Sequence, residues 1–536
     1  MDNKKLNSYI QPTVYALLIV FGILIGVYVV PQKKLVEGRS FSSSKVETII
    51  DYAIKNYVDT VNADAMMSDA INGMLQKLDP HSVYISAEEF NSVNSELSGN
   101  FEGIGIQFNI FNDTIMVVNT IAGGPSEKIG LMPGDRIVKV DTQNVAGVGI
   151  SNSDVIKKLK GPKGSKVKVG VKRSGVDKLL YFNIKRDVIP MHSVDIAFLV
   201  NPKTAYIKVN QFTATTIDEF NTSVSALSKK KIKNIIIDLR GNSGGFLNAA
   251  VEISDQLLPK DRMIVYTEGR TQPRRDYKSR RDGKFSHLKV AVLIDEWSAS
   301  ASEIVAGAIQ DNDRGVVIGR RSFGKGLVQE QIPLTDGSAI RLTVARYHTP
   351  SGRCIQRYYK GGIEAYFTEM LNRYESGELE DAEMHKIEDS TQYFTLSGRV
   401  VYGGGGIIPD IIVPLERNEN KTYLNAIVNM GIIYRFAFDY VDKNRSSFKK
   451  YSDANDYISN YQVESSTFDS LVRFAAENGI PPDAQKIAYV KDELKIWLKA
   501  FIGRNLFGDD AFYPIQLQID KTFIKAMDVL EKPIVK

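Results

Sequence analysis

The chain has 536 residues, of which 43% are hydrophobic and 24% charged, the balance of a globular protein too long for one core, and domains of roughly 100–200 residues imply three or four units. A net charge of +5 at pH 7 is too dilute over that length to mark a nucleic-acid partner, and no basic run carries interleaved aromatics. The one cysteine, Cys354, excludes an internal disulfide framework and a zinc site of the usual paired-cysteine spacing.

From Val14 to Val30 the chain is almost uninterruptedly apolar, long enough to span a bilayer and longer than a signal-peptide core of about 7–15 residues. No small-x-small cleavage site follows, so the run is expected to stay as a transmembrane anchor. Lys4, Lys5 and the amino terminus are nearly matched by Lys33, Lys34 and Arg39, and charge bias only slightly favours a cytoplasmic amino end. Pro31 to Ser44 is a polar, serine-rich tether. Val46, Ile49, Ile50, Ala53, Ile54, Tyr57 and Val58 then recur at helical spacing, and Met67, Ala70, Ile71, Met74, Leu75 and Leu78 mark a second amphipathic helix. Leu78-Asp-Pro-His-Ser82 ends it, with His81 read as a turn residue, and Ser86 with Glu89 forms a capping box for a third helix.

Gly103-Ile-Gly-Ile106 opens a run of β character, and Leu131-Met-Pro-Gly-Asp-Arg-Ile137 follows. Together these resemble a PDZ domain, whose Gly-x-Gly loop presents backbone N–H groups to a terminal carboxylate while the peptide adds as a strand. The resemblance implies Gly103, Ile104, Gly105 and Ile106 as peptide-binding, with Ile104, Ile106 and Phe108 lining the pocket, Ser153 to Leu159 as groove helix, and Val167 to Val171 and Leu179 to Ile184 as closing strands.

Thr204 to Val209 reads as a strand and Thr216-Ile-Asp-Glu219 as a capped helix start. Ile232 to Leu239 is a buried strand ending in Arg240-Gly-Asn-Ser-Gly-Gly245, before a helix with Phe246, Ala249, Ala250, Ile253 and Leu257 on one face. Gln272 to His287, rich in Arg and Lys, reads as a solvated loop. Val290 to Ile294 is a second buried strand, and Ser298 to Ser302 turns it into a helix bearing Ile304, Val305, Ala308 and Ile309. A hydroxyl at such a turn is exposed, and free helix N–H groups face any anion formed beside it. Downstream, Lys325 sits between Gly324 and Gly326, before a hairpin of Leu327 to Leu334 and Ser338 to Tyr347. Gly361 to Arg399 reads as an acidic insertion, Gly403 to Pro414 as a closing strand, and the last 120 or so residues as helical, of no legible role. Residue physics alone does not choose among Ser298, Ser300 and Ser302.

Ser-Ala-Ser-Ala-Ser-Glu303, then Phe-Gly-Lys-Gly326 and Gln329, resemble the carboxyl-terminal processing (tail-specific) proteases from about Val46 to Pro414. The resemblance selects Ser300 as nucleophile, Lys325 as base and Gln329 as the residue orienting the lysine. It implies oxyanion N–H donors at Gly244 or Gly245 and at Ala301, and no cofactor or metal. It also implies a helical segment that often helps dimerise, although a helical collar packed on the protease fits equally well. The expected architecture is multidomain α/β and α+β: anchor and tether at 1–40, helical segment at 41–96, PDZ domain at 97–187, crotonase-like serine protease core at 188–416 with the insertion at 361–399, and helical domain at 417–536. The expected activity is a serine endopeptidase of the bacterial inner membrane, single-pass, its bulk periplasmic, which binds exposed carboxyl-terminal protein tails.

A lysine serves as base only when neutral, and near pKa 10.4 about one in a thousand is neutral at pH 7. Lys325 is therefore expected to be desolvated, with Gln329 hydrogen-bonded to its amine and Glu303 and Glu330 turned away from it. A Ser-His-Asp arrangement through His192 or His348 has no motif behind it. The rival readings are an inert protease-like scaffold carrying a PDZ domain, which would have no reason to keep Ser300, Lys325 and Gln329 together, and a crotonase-type acyl-CoA enzyme, for which no nucleotide-binding signature is present.

Overall fold

The computed structural model describes residues 43–531, except 112, 122, 174–175, 382, 384–386 and 388. The expected anchor, and the tether as far as residue 42, lie outside them, and among the described residues no helix is long and apolar enough to cross a membrane. The chain divides into two units at Gly73 and Met74. The first carries the helix Ser43–Asn56 and most of the helix Ala63–Leu75, whose start is capped by Asn62 Oδ1 accepting from Ala65 N at 3.1 Å.

In the second unit, Ser86 and Glu89 form the expected box at the helix Ala87–Leu97: each side chain accepts from the other's backbone N–H. The PDZ sheet follows, in the order Ile106–Ile110, Ile115–Thr120, Arg136–Val140, Lys166–Lys172, Leu180–Lys185, with the helix Asn152–Leu159 packed on its core through Val155 and Leu159. Ile106–Ile110 is an edge strand of this sheet, as strand addition by a peptide requires. Ile104, expected to line the peptide pocket, is instead buried inside the PDZ core, while Ile106 and Phe108 are partly buried and pack against that core. A short antiparallel pair, Asn100–Gly103 with Asp187–Pro190, closes both ends of the PDZ domain.

Two apolar strands, Asn234–Asp238 and Lys289–Ile294, lie at the centre of the six-stranded core sheet. Its order runs Val194–Asn201, Thr204–Val209, Asn234–Asp238, Lys289–Ile294, Val316–Gly319, Ile411–Ile412, the first pair antiparallel and the rest parallel. Side chains alternate between its faces. Ile235, Ile237, Val290, Val292 and Ile294 meet the helices Leu247–Leu257 and Ala301–Asp311. Ile236, Ala291, Leu293 and Ile318 meet Leu517, Phe523, Ala526 and Leu530, from the end of the chain. The helical carboxyl-terminal region, whose role the sequence left open, thus covers the second face of the core sheet; Arg240 also pairs with Asp520 at 2.7 Å. Its preceding helices enclose a separate core, and Arg445 donates to the carbonyl of Pro133 in the PDZ domain at 2.6 Å.

A second sheet, Val83–Ile85, Ala339–His348, Met263–Glu268, Arg275–Lys278, with Leu327–Pro333 also paired to Ala339–His348, carries the residues just after Lys325. One expectation is corrected here and another is filled in. The charged stretch read as a loop contains the strand Arg275–Lys278, whose charges stay in water because it lies at the sheet edge. The segment read as an insertion packs against the core: Glu369 and Glu378 pair with the buried guanidinium groups of Arg321, Arg357 and Arg373. Arg373 in turn donates to the carbonyls of Arg321 and Ser322, holding the loop that leads to Lys325.

Candidate active site

The strand Lys289–Ile294 ends in a turn held by Asp295, whose Oδ1 accepts from the N–H groups of Gly241, Trp297 and Ser298. Ser298 and Ser302 are fully buried and spend their hydroxyls inward, on the carbonyls of Leu239 and Asn242 at 2.9 and 2.8 Å. Ser300 between them has φ +55° and ψ −112°, a backbone state costly for a residue with a side chain and of the kind that collects at functional turns. It lines a cavity of about 790 Å³ that it shares with Gly244, Gly245, Lys325, Gln329 and Arg341. Geometry therefore separates the three serines where sequence did not.

Gly244 packs against that turn so closely that a Cβ there would lie 2.8 Å from Ser300 Cβ. Its N–H is already donated to Asn242 Oδ1 at 2.9 Å. The expected alternative, Gly244 or Gly245, is thereby narrowed: the N–H groups of Gly245 and Ala301 meet no acceptor among the described residues, whereas that of Gly244 is engaged. Ala301 itself is buried as the first residue of the helix Ala301–Asp311.

Lys325 reaches the same cavity from the other wall. Burial pushes its amine below the ordinary lysine range; Arg341 pushes the same way, while Glu303 and Asp79 push back. No ion pair joins that amine to Glu303 or Glu330 among the described residues; Glu330 is exposed. Gln329 departs from expectation. Its Nε2 donates to the carbonyl of His81 at 2.7 Å, and no hydrogen bond to the Lys325 amine is among those described.

Sequence reading missed what surrounds this pair. The turn Asp79-Pro-His-Ser82 is seated on the second sheet: Asp79 accepts from His81 N, Ser82 N, Ser82 Oγ and Thr343 Oγ1, and Ser82 Oγ accepts from Thr343 N. Burial, with Lys325 nearby, pushes the imidazole of His81 down to about 3, and its Nε2 lies 2.9 Å from Tyr366 Oη. The signal was an Asp-Pro-His-Ser stretch between helices, but nothing local says that it packs beside Lys325. His192 is an exposed neighbour of Glu219, and His348 stacks on Tyr266 with Nδ1 at the carbonyl of Gly352; neither lines the cavity. Among the described residues no three His, Cys, Asp or Glu side chains are grouped to hold a metal ion.

The chain is similar to known families and proteins. The model of peptidase family S41 matches residues 203–365, and that of the PDZ domain matches 103–184. The amino-terminal domain of the activating protease CtpB matches 28–89, and a family of unknown function matches 423–508. The carboxy-terminal-processing protease of Bartonella bacilliformis is 39% identical over 308 residues, covering 56% of this chain and 69% of the relative. Carboxy-terminal processing protease CtpB of Bacillus subtilis is 35% identical over 329 residues, covering 61% and 67%. Among solved structures, the photosystem II D1 C-terminal processing protease is similar at 28% identity and TM-score 0.35, over 58% of this chain and 84% of the other.

Proposed function

We propose, for a chain that belongs to the carboxy-terminal processing proteases, that Ser300 is the nucleophile and Lys325 the general base of its peptidase reaction. The chain is a serine-type peptidase with a PDZ domain. One observation carries the finer reading: a serine in a strained turn and a lysine whose amine is desolvated open onto one cavity, while both neighbouring serines are spent in buried hydrogen bonds.

In this reading Ser300 Oγ adds to the scissile carbonyl as its proton passes to Lys325 Nζ. The N–H groups of Gly245 and Ala301, beside that turn, receive the developing oxyanion. Lys325 then gives the proton to the leaving amine; in the second step Lys325 takes a proton from a water molecule whose oxygen adds to the acyl carbon, and returns it to Ser300 Oγ as the ester bond breaks. Each unit by which the lysine is depressed multiplies its neutral fraction at pH 7 about tenfold. Gln329 acts through its carbonyl oxygen, which accepts from the lysine amine while one amide N–H is held by the carbonyl of His81.

The free edge at Ile106–Ile110 and the Gly103 to Ile106 loop would hold the substrate's terminal tail as an added strand. Anchoring by Val14 to Val30, with the catalytic bulk in the periplasm, completes the proposal and rests on that apolar run.

Purified Ser300→Ala and Lys325→Ala chains should melt as the parent does, still bind a labelled tail peptide, and lose peptide cleavage by at least about 10³-fold. Cleavage retained by either variant sinks the assignment. Protease accessibility in spheroplasts tests the topology: digestion from outside supports it, and protection until lysis refutes it.

A further inference from the structure

We propose that Glu303 is a positioning residue of the peptidase reaction, a single carboxylate that holds nucleophile and base at a fixed separation. The inference rests on the assignment of Ser300 and Lys325 above.

Glu303 is fully buried and accepts four hydrogen bonds. Oε2 takes the backbone N–H of Ser300 at 2.8 Å and that of Lys325 at 2.9 Å. Oε1 takes Gly324 N at 2.7 Å and Ser322 Oγ at 2.5 Å. Ser322 Oγ is itself reached by Ile407 N at 2.6 Å, which extends the brace to the closing segment of the core. One oxygen thus bridges the main chain of the nucleophile to the main chain of the base, beyond the paired strands Lys289–Ile294 and Val316–Gly319 and the bond from Phe323 N to the carbonyl of Ser298 at 3.0 Å. Every partner is a donor, so only an acceptor-only group fits; an amide would turn its NH₂ toward two N–H groups or toward an N–H and a hydroxyl.

Burial pushes the Glu303 carboxyl up, and the four donors oppose that. Its charge also acts on the lysine amine, which faces Arg341 on the strand Ala339–His348, Glu303 on the helix Ala301–Asp311, and Asp79 and His81 on the turn before Val83–Ile85. Loss of the negative charge therefore makes the lysine easier to deprotonate.

The test uses the full chain, a fluorogenic peptide with a free carboxyl terminus, and rate profiles against pH. Glu303→Gln should lower kcat about 100-fold, the cost of a misplacement of about 1 Å. KM should stay within about threefold, and the rising limb of kcat/KM should move to lower pH. Glu303→Asp keeps the charge but is one methylene short, so kcat should fall while the limb stays in place. Ser322→Ala should give a smaller fall and no movement of the limb. Retention of kcat within about threefold in Glu303→Gln, or an effect confined to KM, overturns the proposal, as does a limb that moves to higher pH or stays in place. Tail-peptide binding reports the fold; should Glu303→Gln not fold, unchanged kcat in both other variants overturns it. Lys325→Ala separates the two readings: if it stays active the base assignment fails, and if it is dead while Glu303→Gln is fully active only the brace fails.

Discussion

Replacing Gly244 by alanine tests whether close packing places Ser300. The added Cβ would lie 2.8 Å from Ser300 Cβ, 2.9 Å from Ala299 O and 3.1 Å from Ala301 N, where ordinary contact begins at 3.4 Å. Ser300 must therefore retreat by about 0.6 Å, or the glycine turn must move by as much. Gly244 also has φ +105°, which a side chain tolerates at a cost of about 1–3 kcal/mol; forcing a methyl into a packed site adds about 1–3 kcal/mol. At about 100-fold per 1 Å of misplacement, a shift of this size should lower kcat at least about tenfold. The assay is tail-peptide cleavage beside urea unfolding, with Gly241→Ala as comparison. Gly241 also has positive φ, +72°, but open space around its Cβ, so it should lose about 1–2 kcal/mol of stability and keep kcat within about threefold. A Gly244→Ala chain that folds and cleaves at the parental rate refutes the claim that this contact sets the nucleophile.

Arg341→Met removes a positive neighbour that depresses the Lys325 amine, so the rising limb of kcat/KM should move to higher pH and activity at pH 7 should fall; an unmoved limb refutes the coupling. His81 binds its proton near pH 6.5 in the unfolded chain and only near 3 in the fold. Stability linked to it should therefore fall as pH drops below 6.5, by up to about 1.4 kcal/mol per pH unit until near 3. His81→Gln should abolish that slope in urea unfolding, and parallel profiles would refute it. Asp520→Ala removes a carboxylate whose two oxygens accept from Arg240 Nη1, at 2.7 and 3.0 Å, but leaves Asp238 beside it. A loss of about 1.5–3 kcal/mol is expected, and no change in unfolding midpoint would show that the pair contributes nothing.

The elements closest to the chemistry were legible because their signals are local. Val290 to Ile294 is a run of apolar residues, Ser298 to Ser302 a run of small ones, and Lys325 stands between glycines; each announces its conformation within a few positions. The PDZ strands were legible through the resemblance carried by Gly103-Ile-Gly-Ile106 and Leu131 to Ile137. The charged stretch around Arg275 was misread because a strand at a sheet edge keeps its charges in water and so looks like a loop. The packing of the 361–399 segment was not legible because its acidic residues suggest surface, and two of their buried arginine partners, Arg321 and Arg357, lie outside it. Glu303 was expected to face away from the Lys325 amine, and among the described residues no ion pair joins the two; what the sequence did not announce is that its side chain accepts from the backbone N–H of Lys325, 22 residues on.

Taken alone, the sequence determined the order of units, the buried strands, the strand-to-helix turn and the spacing of Ser300 and Lys325, because these depend on residues near one another along the chain. Tertiary structure decided which of three serines opens onto the cavity, which glycine N–H is free, and that the end of the chain covers the core sheet. It also gave Gln329 a partner 248 positions away, in His81. Such choices are made by which donors and acceptors meet when distant segments pack, since a buried polar group must find a partner wherever the fold supplies one.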